Sequence, residues 1–125
     1  MKKTLFIVLM FAIVACTKKH EGNLAPVVII TVPEDGQDFT SGSAIAIRGT
    51  ATDDAGLHEG TITVLKSDSK ELFRWEPDVH NLRSFNIDYT FTPLFTVTTN
   101  LRIVATFYDH DDNKTEKVVN IKVKP

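Results

Sequence analysis

The sequence predicts a single all-β domain, a sandwich of two sheets, and three observations carry that prediction. From Pro26 onward the dominant hydrophobic period is two, the mark of half-buried strands. No stretch after the first 25 residues carries a helical apolar stripe. Short alternating runs bounded by turn signals recur through roughly a hundred residues, the pattern of a sandwich. The chain has 125 residues, which allows one domain. With 42% hydrophobic and 24% charged residues it has the balance of a chain that buries a core.

Seven strands are expected. The first, 27–32, is a continuous apolar run stopped by Pro33 and the turn-rich Glu34-Asp35-Gly36. The second, 43–52, sets Ile45, Ile47, Gly49 and Ala51 on one face and Ala46, Arg48, Thr50 and Thr52 on the other. Strand 61–66 carries Ile62 and Val64 inward. After the polar turn Ser67-Asp68-Ser69-Lys70, strand 71–76 pairs back with Phe73 and Trp75 toward the core. Strand 84–91 alternates Phe85, Ile87, Tyr89 and Phe91 with Ser84, Asn86, Asp88 and Thr90. Strand 101–108 repeats the pattern through Leu101, Ile103, Ala105 and Phe107, and strand 115–124 through Val119, Ile121 and Val123. The connection from Thr92 to Thr99 is unusually apolar for a loop. Either it plugs the core or adds an edge strand, or Leu94, Phe95 and Val97 form a patch for a partner.

The first 25 residues are of a different kind. Lys2 and Lys3 form a positive start, Leu5 to Val14 an unbroken apolar run, and Ala15 a small residue at a cleavage point. Ten apolar residues rise roughly 15 Å as a helix, about half of a ~30 Å hydrocarbon core, so a secretory leader fits better than a span. The residues after Cys16, Thr17 to Ala25, are polar and without period, as a flexible tether would be. Extended, those nine residues reach about 30 Å. The expected organisation is a signal at 1–15, an anchor and tether at 16–25, and the domain at 26–125. A single cysteine leaves no internal disulfide.

Two resemblances refine this picture. Ile13-Val14-Ala15-Cys16 resembles the lipobox of bacterial lipoproteins. That implies diacylglycerol on the Cys16 thiol, cleavage just before it, and an acyl chain such as palmitate on the new amine. More than one chain is what stable attachment requires. Thr17-Lys18-Lys19 does not resemble the aspartate that retains some lipoproteins at the inner membrane, so an outer-membrane address is favoured. Pro26 to Gly36, then Ile47-Arg-Gly-Thr-Ala-Thr-Asp-Asp-Ala-Gly-Leu57, look like the opening of bacterial immunoglobulin-like domains. Val104 to Lys114, followed by a Val/Lys strand, is similar to their closing hairpin. The resemblance implies the fold across nearly all of 26–124. Unlike antibody domains, the chain has no cysteine pair, and Trp75 lies on the fourth expected strand rather than the third.

Candidate chemistry gathers in the loops. Asp53 and Asp54 follow the second strand, while Asp109, Asp111, Asp112 and Asn113 follow the sixth. In a sandwich of this topology the two loops share one end, where five carboxylates would suit Ca²⁺. The competing reading is turn chemistry, since Asp and Asn bond their own backbone. Strand parity brings His80, in the loop that also holds Asp78, to the same end as His58 and His110. These are either a zinc site or plain exposed loop histidines, and no pair has helical or hairpin ligand spacing. The serine-hydrolase and metalloprotease motifs Gly-x-Ser-x-Gly and His-Glu-x-x-His are absent, and no clustered basic run offers a face to nucleic acid.

Two functions are therefore expected. The first is a non-catalytic binding or structural module tethered to the bacterial cell envelope by lipid, meeting an envelope protein or glycan and needing no cofactor. The alternative is a small envelope hydrolase or carbohydrate-acting protein using the acidic loop end. A concave pocket with a perturbed carboxylate near Asp53 and Asp109 would favour the second.

Overall fold

A computed structural model describes residues 24–125; the leader, Cys16 and the first part of the tether lie outside the described residues. All regular structure among the described residues is strand. The described residues form eight strands: β1 (Val27–Val32), β2 (Gln37–Thr40), β3 (Ile45–Thr52), β4 (Leu57–Lys66), β5 (Glu71–Trp75), β6 (Ser84–Phe91), β7 (Thr99–Asp109) and β8 (Lys114–Lys124). They form a sheet in the order β1-β3-β6 and a second in the order β2-β8-β7-β4-β5. Every pairing is antiparallel except β2 with β8, which is parallel.

The predicted inward faces are the observed ones. Ile45, Ile47 and Ala51 of β3, Ile62 and Val64 of β4, Leu101, Ile103, Ala105 and Phe107 of β7, and Val119, Ile121 and Val123 of β8 are all buried. Alternation works here because each sheet buries one face only. At the open side between the sheets, Trp75 of β5 stacks on Tyr89 of β6 at 4.9 Å, and Phe73 lies 5.2 Å from Phe91. These half-buried rings close the sandwich where β5 and β6 are both edge strands.

The eighth strand is a correction to the expected seven. β2 lies within the stretch read as a loop between Pro33 and Gly42. Its four residues, Gln-Asp-Phe-Thr, carry one apolar side chain, too short a run to show a period. Its pairing partner β8 defines it. Asp35 supports the join by accepting from the backbone N–H and side-chain amide of Asn120. β4 begins at Leu57, four residues before its expected start, because His58 is the extra residue of a bulge: Leu57 opposes Asp109 and Glu59 opposes Tyr108. The bulge reverses parity, so Leu57 and Gly60 both face inward.

Residues 92–98 contain no strand, and Thr99 already opens β7. Pro93 is buried and Phe95 packs against the core, its N–H donating to Ser41 Oγ at 2.7 Å. Leu94 and Val97 point outward, 78% and 67% exposed. Phe95 thus fills the core side of the segment, and Leu94 and Val97 lie on its solvent side.

Candidate metal centre

One end of the sandwich gathers the β3–β4, β5–β6 and β7–β8 connections. Asp53 N–H donates to Arg83 O at 3.0 Å, Leu57 N–H to Leu82 O at 2.8 Å, and Asn81 N–H to Leu57 O at 2.8 Å. These bonds tie the loop before β6 to the start of β4. Asn81 makes the turn at a φ of 65°, in the left-handed region that Asn tolerates better than most residues. The backbone of Asn81 also packs closely on Gly56, whose own φ is 120°.

The two buried aspartates hold their own loops. Asp53, 6% exposed, accepts from Ala55 N–H at 3.0 Å and Gly56 N–H at 2.7 Å through Oδ1. Its Oδ2 is buried with no hydrogen-bond partner among the described residues. Asp109, fully buried, accepts from Asp111 N–H at 2.8 Å and Asn113 N–H at 2.9 Å through Oδ1, and from the Asn113 amide at 2.7 Å through Oδ2. Short carboxylate bonds to backbone donors are how an Asx turn is fixed. Asp54, Asp111 and Asp112 are exposed. The cleft beside Asp53 and Asp54 is lined by Leu24, Ala25, Val27 and Thr52, with Asp109 on none of its walls.

What does converge is the histidine set. Among the described residues, His58, His80 and His110 bring ligand atoms within 4.8 Å of one another. His58 Nδ1 lies 3.3 Å from His80 Nδ1, and the ring centroids are 4.8 to 5.3 Å apart. His110 Nε2 donates to Asn81 Oδ1 at 2.9 Å, which leaves Nδ1 of that ring with its lone pair. On the far side of His58, Nε2 stands 3.7 Å from Glu59 Oε1. The parity of the strands already placed these three histidines at one end. Asn81 and Glu59 had no signal in the sequence, because their roles depend on the left-handed turn and on the bulge.

Residues 26–84 match the family model described as a bacterial Ig domain. The fold is immunoglobulin-like. Among solved structures, this Ig-like domain is similar to a Niemann-Pick type C2 protein from the Japanese carpenter ant, at 13% identity and a TM-score of 0.54, covering 83% of this chain and 96% of that one. It is also similar to the fibronectin(III)-like modules of Clostridium thermocellum CbhA, at 19% identity and a TM-score of 0.49, covering 80% of this chain and 46% of that one. This chain thus spans less than half of that protein's length. Likeness at these identities concerns the fold alone. No curated protein sequence gives a significant match.

Proposed function

We propose that the chain is a lipid-anchored, non-catalytic binding or structural module of the bacterial cell envelope. The observation that carries this reading is Ile13-Val14-Ala15-Cys16 at the end of a short apolar leader, followed within ten residues by an Ig-like sandwich. Such a sandwich is consistent with a binding or structural module, though fold by itself assigns no activity. The engagement of the Asp53 and Asp109 carboxylates by their own loops favours this reading over a hydrolase. Its surfaces for an envelope protein or glycan would be the exposed Leu94 and Val97 and the loop end around the histidines. The outer membrane is the favoured address.

Fractionation of cells expressing the full chain tests the proposal. The native protein is expected in the membrane fraction with a mass increased by lipid, and Cys16→Ser in the soluble fraction or as uncut precursor. An unmodified Cys16 in mature protein would refute the anchor.

A further inference from the structure

We propose that His58, His80 and His110 form a binding site for a divalent transition-metal ion of the zinc and copper class. The inference goes beyond the anchored module and stands whether or not Cys16 carries lipid.

Four features support it. The first is spacing. Two imidazole nitrogens each 2.0–2.1 Å from a tetrahedral ion lie about 3.3 Å apart, and His58 Nδ1 and His80 Nδ1 are 3.3 Å apart. His110 completes a set whose ligand atoms all fall within 4.8 Å, so rotamer adjustments of a few tenths of an ångström to about 1.5 Å would close all three on one ion. The second is chemistry. Three neutral imidazoles suit zinc, copper or nickel and are a poor donor set for calcium or magnesium, which take oxygen.

The third feature is support behind the ligands. Metal-bound histidines present one nitrogen to the ion and give the other N–H to an acceptor. Asn81 Oδ1 already receives Nε2–H of His110, which directs its Nδ1 lone pair away from that bond. Glu59 stands beside Nε2 of His58. A hydrogen bond across the 3.3 Å contact requires a proton on one of the facing Nδ1 atoms. With an ion between them both present lone pairs, and the shared proton moves to Nε2 of its own ring.

The fourth feature is placement. Each histidine sits on backbone fixed by other interactions: His58 at the bulge inside β4, His80 beside the Asn81–Leu57 backbone bonds, and His110 next to the Asp109 turn. Asp78, which accepts from His80 N–H at 3.3 Å, and Glu59 add negative charge that favours a cation. His80 and His110 are exposed, so a fourth coordination position opens to solvent and remains available to water or to a ligand from a partner.

The test is calorimetric titration of Zn²⁺ alone into the full chain, prepared in detergent without a histidine tag and stripped with chelator. One Zn²⁺ per chain is expected. His80→Ala and His110→Ala should each weaken binding at least ten-fold, and Asn81→Ala by about ten-fold through loss of the His110 acceptor. Melting curves without metal establish that each variant is folded. His20→Ala and Cys16→Ser are expected to bind as the native chain does. Absence of saturable binding at about 100 µM Zn²⁺ would overturn the proposal. So would native affinity in folded His110→Ala, or loss of binding in Cys16→Ser, which would assign the ion to the thiol.

Discussion

Gly60 and Phe107 face each other across β4 and β7, and their coupling is a stringent measure of how the core is packed. A Cβ built on Gly60 would meet Phe107 Cε1 at 2.4 Å and Cδ1 at 2.7 Å, well inside van der Waals contact. Phe107 is fully buried, so its ring has no free volume into which to retreat. Gly60 does not occupy the left-handed region, so alanine is permitted by the backbone. Two effects of Gly60→Ala then compete. Restricting the unfolded chain stabilises by about 0.4–1 kcal/mol. Overpacking costs about 1–3 kcal/mol. The clash wins, and a net loss of roughly 1–2 kcal/mol is expected. Phe107→Ala alone should cost about 3–5 kcal/mol. In that background the ring is gone, so Gly60→Ala should become neutral or stabilising. The expected coupling is about 2 kcal/mol, well above the ~0.5 kcal/mol scatter of independent sites. Urea denaturation of the four proteins with a common m-value provides the measurement. Equal costs of Gly60→Ala in both backgrounds would refute the packing argument.

Other outcomes follow from the loops and the tether. Asp109→Ala should cost about 1–3 kcal/mol by stranding the Asp111 and Asn113 donors, whereas exposed Asp54→Ala should change stability by less than about 0.5 kcal/mol; equal effects in thermal melts would show the turn is not held this way. Millimolar calcium is expected to leave the melting temperature unchanged, and a rise abolished by Asp109→Asn would assign the acidic loops to calcium. The Asn120 backbone N–H, then its side-chain amide, hold the Asp35 carboxyl below its ordinary pKa. Its stabilising effect is therefore complete above about pH 4 and lost as the pH falls through the lowered value, so the stability difference between native protein and Asp35→Asn should be full at pH 6 and shrink progressively on acidification below pH 4. Parallel pH profiles would contradict this. On the proposed anchor, a label at Asp112 should be quenched by lipid-borne probes more strongly than one at Lys70; the reverse order would invert the domain on the membrane.

Legibility in the sequence followed the physics of each element. β3, β6, β7 and β8 are long enough, at eight to eleven residues, for a period of two to appear several times, and their inward faces were readable throughout. β2 was not, because a four-residue edge strand with one apolar side chain is stabilised by β8 and not by its own pattern. Leu57 and Val79 are core residues that alternation could not assign: a bulge shifts the first, and the second lies in a loop. Turn chemistry was legible for Asp53 and Asp109, since carboxylates in such loops find their own backbone donors. The meeting of three histidines was half legible. Parity puts their loops at one end, but the distances depend on the His58 bulge and on Asn81 holding His110, and neither has a sequence signature.

The two classes of loop residue form one construction. Oδ1 of Asp53 and Oδ1 of Asp109 each accept from backbone donors of their own loop, and each loop lies beside a ligand candidate. The same end receives the chain from its tether: Thr115 Oγ1 donates to Pro26 O, placing the start of β1 beside the start of β8. With Cys16 anchored as proposed, the intervening residues reach about 30 Å at most, and the histidine end is the one tied to the membrane. Leu94 and Val97 lie at the opposite end with Gly42, whose N–H donates to Pro93 O. An ion at the histidines and a protein at the apolar patch would then approach the sandwich from opposite directions, without competing for surface. Occupancy of one would reach the other only through the sheets, in which β6, β7 and β8 each run from one end to the other.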